Sequence, residues 1–321
     1  MQNNNEIKKR VNLINKKLVS ASKSRSESLS YVLNNMELKS GKRVRGLLVI
    51  LTSELTGGKI TRAAVSTAAA VELLHNATLI HDDIVDYADK RRGKSALYKK
   101  IGYEFSVLSG DYLFALVMKL ILINESIELF RIFAEAVAAV CEGEIDEVYY
   151  KNNASIGRNR YYSLIEKKTG ALITASVKAG ACLAGLKGRP LARLTEFGRC
   201  LGAAFQIKDD ILDVTGSGKT LGKPAGHDII EGKVTLPLII ALENAPKKEA
   251  AAIKRFFSTG RAAAERSVII SFIKKYGGIE AAGAEAEALI RRSLKCLEEP
   301  ALKSKKELLQ EIAEYVINRS H

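Results

Sequence analysis

Leu79-Ile80-His81-Asp82-Asp83-Ile84-Val85-Asp86 closes the run that decides the fold. From Thr61 onward the sequence is apolar with helical period, and a helix over 61–86 would be about 39 Å long at 1.5 Å per residue. A straight-helix projection puts Ala64, Ala68, Val71, His75, Thr78, Asp82 and Asp86 on one face. That face is small and apolar low down, polar and acidic at the top. Phe205-Gln206-Ile207-Lys208-Asp209-Asp210-Ile211-Leu212-Asp213 repeats the pattern, with Gly198, Gly202, Gln206, Asp209 and Asp213 on a shared face. The glycines there fit cavity space and close helix packing equally well. Carboxylates in apolar helical sequence are costly unless a cation meets them. Asp82 and Asp86 lie one turn apart with Asp83 beside them, and they would repel in an isolated helix. A divalent cation resolves the conflict: Mg²⁺ prefers oxygen ligands and commonly takes one or two carboxylates plus phosphate oxygens. Two matched sets predict a site for several hard cations and a polyphosphate.

The rest of the 321 residues repeats the helical period. Helices are predicted at roughly 5–20, 43–55, 104–122, 126–150, 160–184, 190–214, 234–243, 247–257, 262–275, 278–296 and 302–318. Breaks fall at Gly57-Gly58, Gly188-Arg189-Pro190, Gly216-Ser217-Gly218 and Gly277-Gly278. No window alternates convincingly as a strand, and proline is scarce at five residues. The expectation is an all-α chain: one domain over 1–321, a helical bundle around a central cavity, with 1–38 as a basic helical extension. A hydrophobic share of 47% suffices for a large core. Cys141, Cys182, Cys200 and Cys296 are widely spaced and read as reduced core residues of a cytosolic protein. No signal peptide is visible, and the longest unbroken apolar runs, such as 113–118, are short for a bilayer.

The net charge is +14, from 50 basic and 36 acidic residues. At the N-terminus Lys8, Lys9, Arg10, Lys16, Lys17, Lys23 and Arg25 face one acid, Glu6. This is read chiefly as a solvated amphipathic helix. It is also compatible with a membrane surface that accepts a greasy product. No aromatic-basic stripe supports nucleic acid as a partner. Other cations flank the acidic motifs: Lys42, Arg43 and Arg45 at a helix start; Lys90, Arg91, Arg92 and Lys94 after the first set; Lys167 and Lys168 mid-chain; Lys219, Lys223 and Lys233 after the second. Arginine suits bidentate phosphate contact and lysine serves as a point charge. The total implies more than one diphosphate, one bridged by metal and one held by cations alone.

These motifs together resemble the trans-prenyl diphosphate synthases, the head-to-tail isoprenyl chain-elongating enzymes, from about Gly41 to Pro237. The resemblance rests on Gly41-Lys42-Arg43-Val44-Arg45, the two aspartate sets, Arg91-Arg92-Gly93-Lys94, Gly110-Asp111, Lys168-Thr169, Gly222-Lys223-Pro224, Asp228 and Glu231-Gly232-Lys233-Val234-Thr235-Leu236-Pro237. It implies the isoprenoid synthase fold, a homodimer, and isopentenyl and allylic diphosphates as substrates. By that resemblance about three Mg²⁺ act as Lewis acids, with Asp82, Asp83, Asp86, Asp209, Asp210 and Asp213 as ligands. Arg91, Lys168, Gln206, Lys223 and Lys233 would contact the allylic diphosphate. Lys42, Arg45, His75 and Arg92 would bind isopentenyl diphosphate, and Thr169 with Gln206 would orient the reacting centre. Loop closure around Thr215–Asp228 would exclude water from a cationic reaction. Two positions depart from the family's habit: Gly46 where proline is common, and His227 before Asp228 where an acid is commoner.

Product length should follow from the depth below the first aspartates, about 5.4 Å and one isoprene unit per helical turn. Short-chain members of the resembling family carry bulky aromatics four and five residues before the first aspartate. Here Thr78 and Ala77 stand there, both small, with Leu74 deeper and Met118 on the following helix as a floor candidate. The resemblance is therefore to medium- and long-chain members, which it implies make products of about C30–C50. A short-chain farnesyl or geranylgeranyl synthase and a regulatory subunit of a heteromeric synthase are the alternatives. A metal phosphohydrolase is disfavoured because the chain has four histidines, and only His75 precedes His81. A terpene cyclase would not need Lys42, Arg45 and Arg92 for a second diphosphate.

Overall fold

The computed structural model of the protein describes residues 5–36, 38, 41–91, 93–216 and 225–318. Among them the architecture is almost wholly helical. The order is α1 (Asn5–Ala21), α2 (Glu27–Asn35), α3 (Val44–Ser53), α4 (Arg62–Val85), a two-stranded ribbon (β1, Lys90–Arg91; β2, Lys94–Ser95), α5 (Leu97–Ile101), α6 (Tyr103–Leu122) and α7 (Ile127–Tyr150). There follow α8 (Arg158–Ile165), a π-helical turn (Glu166–Gly170), α9 (Ala171–Leu183), α10 (Gly188–Thr215), α11 (His227–Ile230), α12 (Leu236–Asn244), α13 (Lys247–Ser258), α14 (Arg266–Lys275), α15 (Gly278–Cys296) and α16 (Lys306–Asn318).

The chain forms two compact units, each assembled from three separate stretches. One comprises Met1–Glu135, Ala175–Thr195 and Glu298–Ile312; the other comprises Ala136–Thr174, Glu196–Leu297 and Ala313–His321.

In the first unit, α4 packs against α1, α3 and α6. Its middle is a run of small side chains, Ala68, Ala69 and Ala70, all fully buried, which lets neighbouring helices come close. Five consecutive residues of α3, Leu47–Leu51, are buried against it. α1 belongs to this core, because Ile7, Ile14 and Leu18 are buried while Lys8, Lys9 and Lys16 stay outside. Arg10 is buried too, and its guanidinium donates to both oxygens of Glu54 at 2.8 and 2.9 Å. α4 and α6 are long and apolar enough to cross a membrane, but 67% of the apolar window of α4 is buried inside the protein.

A second buried pair fixes the start of α3. Arg43 takes a left-handed backbone conformation with φ of 56°, and its guanidinium is buried. It donates to Asn15 Oδ1 at 2.8 Å, to the Leu38 carbonyl, and to Glu72 Oε2 at 3.5 Å. Glu72 Oε1 also accepts from the Gly46 amide at 2.8 Å, one of the N–H groups a helix start leaves unpaired. That bond accounts for the absence of proline, which has no N–H to give Glu72, and glycine suits the close packing, since a Cβ there would sit 2.9 Å from Ile14 Cδ1 and 3.1 Å from the Ala68 carbonyl oxygen. The middle cation of the Lys42-Arg43-Val44-Arg45 run is thus a structural bolt. Glu72→Ala should cost about 3–5 kcal/mol, because it strands a buried guanidinium. Denaturant unfolding of the variant beside wild type measures that loss.

In the second unit, α12 packs on α14 and α15. Its core gathers Ile207, Ile211, Leu236, Leu238, Ile239, Ile240, Ile253, Phe257 and Ile269. The predicted helix over 160–184 is interrupted by the π-helical turn at Glu166–Gly170. Four elements escaped the sequence reading: α2, the ribbon, and the short helices α5 and α11. α2 lies in a serine-rich stretch, where Ser26 caps its first turn by accepting from the Leu29 amide. The ribbon pairs Lys90 with Ser95 and Arg91 with Lys94, too short to show alternation.

Candidate active site

In the first unit, the aspartates lie at the carbonyl end of α4. The Asp86 amide closes the helix on the Asp82 carbonyl at 2.8 Å. Tyr87 then turns left-handed with φ of 52°, and the Ala88 amide reaches back to the Asp83 carbonyl at 2.9 Å. Negative side chains at this end oppose the helix dipole. The three carboxylates divide there. Asp82 and Asp86 are half-buried, whereas Asp83 is 5% exposed and accepts at Oδ1 from Arg91 Nε at 2.8 Å and Nη2 at 2.5 Å. Asp83 thereby ties the ribbon back onto the helix.

The neighbouring α6 comes close enough to set His81. Gly110 lies where an added Cβ would sit 2.2 Å from His81 Nε2, which explains the glycine of the Gly110-Asp111 pair. His81 Nε2 lies 3.2 Å from the Val107 carbonyl, and its ring sits 5.9 Å from that of Phe114. Lys42 is exposed just before α3, Arg45 is half-buried in its first turn, and His75 is half-buried on α4. Of the predicted chain-length residues, Ala77 and Leu74 are buried, while Thr78 and Met118 are half-buried. Thr78 donates its hydroxyl to the His75 carbonyl at 2.9 Å, so its methyl is the group it presents outward. Arg92 and Lys223 lie outside the described residues, as does most of the Thr215–Asp228 loop.

In the second unit, a cavity of about 130 Å³ is lined by Lys168, Thr169, Gln206, Asp210, Asp228 and Lys233, with Glu147 and Tyr161. The π-helical turn carries Lys168 and Thr169, and such insertions re-aim side chains at functional sites. Gly202 of α10 backs onto this turn: a Cβ there would meet the Gly170 Cα at 2.7 Å. That position therefore serves close packing rather than open space. Thr169 donates to Gln206 Oε1 at 2.6 Å. Lys168 reaches Glu144 at 2.7 Å and Glu147 at 2.8 Å; Lys233 reaches Glu147 at 3.0 Å and Glu231 at 2.7 Å. Glu147 thus bridges two of the predicted diphosphate-binding lysines.

The second aspartate set also divides its work. Asp209 is half-buried. Asp210 is buried, accepting from Tyr161 at 2.6 Å and from Gln206 at 2.8 Å. Asp213 accepts from the amides of His227 at 3.1 Å and Asp228 at 3.2 Å, holding the start of α11. His227 in turn lies 2.9 Å from Glu231 through Nε2. Burial, with the charges of Asp209 and Asp213 added, pushes the Asp210 carboxyl up to about 7. Burial, then the nearby Asp213 and Asp210, raises Asp228 well above the carboxylate range. Burial likewise raises Asp213, against the hydrogen bonds it accepts. Burial alone would raise Glu231, but hydrogen bonds from His227 and Lys233 bring it down to about 2.

Crowded carboxylates of this kind fit a hard divalent cation. Among the described residues no three His, Cys, Asp or Glu side chains converge as a ready-made metal cage. Mg²⁺ suits such sparse sites, since it keeps waters and takes one or two carboxylates plus phosphate.

Glu144, Glu147, Tyr161 and Glu231 were not anticipated. For Glu144 and Glu147 the signal was the acidic run Glu142-Gly143-Glu144-Ile145-Asp146-Glu147, which matches Lys167-Lys168 in charge but lies about twenty residues away; Glu231 stood in the Glu231-Gly232-Lys233 motif without a role, and Tyr161 left no signal.

Comparison with known proteins bears on this arrangement. The profile of the family described as polyprenyl synthetase matches residues 26–273. A short chain isoprenyl diphosphate synthase of Methanothermobacter thermautotrophicus is 36% identical over 92% of this chain and 91% of its own. Heptaprenyl diphosphate synthase component 2 of Geobacillus stearothermophilus is 35% identical, over 88% of this chain and 87% of its own. The crystal structure of a Caulobacter crescentus polyprenyl synthase, complexed with calcium and isoprenyl diphosphate, superposes with a TM-score of 0.87 at 31% identity. It covers 96% of this chain and 94% of that one.

Proposed function

The chain belongs to the polyprenyl synthetase family and is a prenyl-transferring synthase, and from that premise we propose that it joins isopentenyl diphosphate head to tail to an allylic diphosphate. The proposed product is medium to long, about C30–C50, the range implied by the resemblance to members with small residues at these positions. The observation that carries the reading is the repeated acidic set, at the carbonyl end of α4 and again in the last turns of α10. Small Ala77 and Thr78 support the longer product. The short-chain alternative has its own support in the 36% identical relative.

Mg²⁺, when bound, neutralises the diphosphate as it leaves and so lets the allylic C–O bond ionise. Asp82, Asp86 and Asp209 are the proposed ligands; beside them Asp83 accepts from Arg91, Asp210 from Tyr161 and Gln206, and Asp213 from the α11 amides. Lys168 and Lys233 offer their ammonium groups to diphosphate oxygens, held in place by Glu144, Glu147 and Glu231. Lys42, Arg45 and His75 hold the isopentenyl diphosphate, with Lys42 and Arg45 beside the start of α3, where helix amides also favour an anion. Arg92 and Lys223 remain part of the proposed set. The isopentenyl double bond then attacks the allylic carbon, a proton leaves, and the chain is five carbons longer.

A homodimer and a cytoplasmic, single-domain enzyme complete the proposal. Phe105, Leu108, Leu122, Ile123 and Ile127 are exposed apolar side chains along α6 and the start of α7, which supports self-association. Four free thiols fit a reducing compartment. The exposed cations of α1 support transient contact with an anionic membrane at product release. Incubation with labelled isopentenyl diphosphate and farnesyl or geranylgeranyl diphosphate, followed by sizing of the products, tests the central reading. Products beyond C20 are expected, and absence of any elongation rejects it.

A further inference from the structure

The polarity of the Thr169 hydroxyl is set by two buried residues of the same cavity lining. Asp210 is 2% exposed and Tyr161 3%. Tyr161 donates its hydroxyl to Asp210 Oδ2 at 2.6 Å, and Gln206 Nε2 donates to Asp210 Oδ1 at 2.8 Å. A carboxylate accepts and does not donate. The Gln206 contact must therefore be made by its NH₂ group, which turns Oε1 toward Thr169. Thr169 then donates to Oε1 at 2.6 Å. Its one proton is committed, and lone pairs are all its oxygen has left for anything else in the cavity. Protonation of Asp210 does not reverse the order. The acid proton can sit on Oδ2 with the Tyr161 oxygen accepting it, while Oδ1 still accepts from Gln206.

Resting on the prenyl-transfer reading, we propose that Tyr161 and Asp210 are positioning residues: they hold Thr169 as a hydrogen-bond acceptor toward the reacting allylic carbon. Positive charge grows on that carbon as the C–O bond breaks. A fixed lone pair nearby stabilises it, whereas a hydroxyl proton would oppose it. Without the Tyr161 hydroxyl, Asp210 loses a donor and can rotate. Gln206 can then turn over and present Nε2 to Thr169, which forces the Thr169 proton into the cavity. Asp210 thus acts through Gln206 and Thr169 rather than as a metal ligand.

A double-mutant cycle on the full-length enzyme tests this. Tyr161→Phe should lower kcat about tenfold, equivalent to about 1.4 kcal/mol of transition-state stabilisation, with KM for isopentenyl diphosphate changed less than about twofold. In a Thr169→Val background the same change should be silent, since no hydroxyl remains to orient. A thermal melt of Tyr161→Phe in both backgrounds guards against a destabilised variant, whose melting midpoint would fall by several degrees. The number of Mn²⁺ ions bound with inorganic diphosphate, counted by electron paramagnetic resonance, should not change in Tyr161→Phe. Equal losses in both backgrounds, an effect on KM alone, or a lost Mn²⁺ ion each overturns the relay. Those results arise in an enzyme that elongates. A wild-type protein that elongates no primer overturns the functional reading, and the relay with it.

Discussion

Asp82→Ala should lower kcat by about a thousandfold, roughly 4 kcal/mol of lost transition-state stabilisation, while leaving the fold at least as stable as before. The two halves of that expectation have one origin. Asp82 stands in the last turn of α4, the end at which a negative charge is unfavourable by about 0.3–1 kcal/mol. Removing it relieves the empty protein. It also removes a carboxylate proposed to fix a cation against the diphosphate. Steady-state kinetics across a Mg²⁺ series, beside a thermal melt, separate this from unfolding. The Mg²⁺ needed for half-maximal rate should rise, and the melting midpoint should hold or increase. Near-normal turnover would sink the metal assignment. Asp83 is a useful contrast, because its loss frees Arg91 and the ribbon instead.

That contrast marks what could be read from sequence. The helices bearing the aspartates were legible because their apolar period is long, and α4 runs at Arg62–Val85 where 61–86 was expected. The acidic clusters were legible because charge inside an apolar helix has no bland explanation when it occurs twice. The division of labour within each cluster was not. Adjacent aspartates differ by about 100° around a helix axis, so which of them turns inward depends on what packs there. Asp83 finds Arg91 eight residues on, and Asp210 finds Tyr161 forty-nine residues back. The carboxylate partners of Lys168 are likewise set by tertiary packing, twenty-one and twenty-four residues away. The π-helical turn that aims Lys168 and Thr169 leaves no periodic trace, because one inserted residue shifts the phase without breaking the helix. Arg43 looked like one of three equivalent cations, and only its burial separates it from Lys42 and Arg45.

Ala77→Phe should shift the product sharply toward short chains, because one isoprene unit corresponds to about one helical turn of depth. Ala77 precedes Asp82 by five residues, about 7.5 Å along the axis of α4 at 1.5 Å per residue. That rise is little more than one helical turn below the aspartates. The methyl of Ala77 is fully buried, and Thr78 beside it offers only a methyl because its hydroxyl is tied to the His75 carbonyl. Both side chains are small enough to let a growing chain pass, whereas a phenyl ring at 77 would obstruct a chain that runs along this face of α4. The ring must also be accommodated by a packed interior, at a cost of about 1–3 kcal/mol, so the melting midpoint should fall by a few degrees. Chain length and stability therefore respond to the same substitution for different reasons, and the two readouts separate them. If Ala77 borders the path of the product, the size distribution collapses toward short products while turnover of the first condensation persists. If Ala77 faces only packed side chains, the midpoint falls and the product distribution stays unchanged, and the depth scale built on α4 is wrong. Met118→Phe serves as the deeper comparison. A half-buried position on α6 should trim the longest products without reaching the short ones.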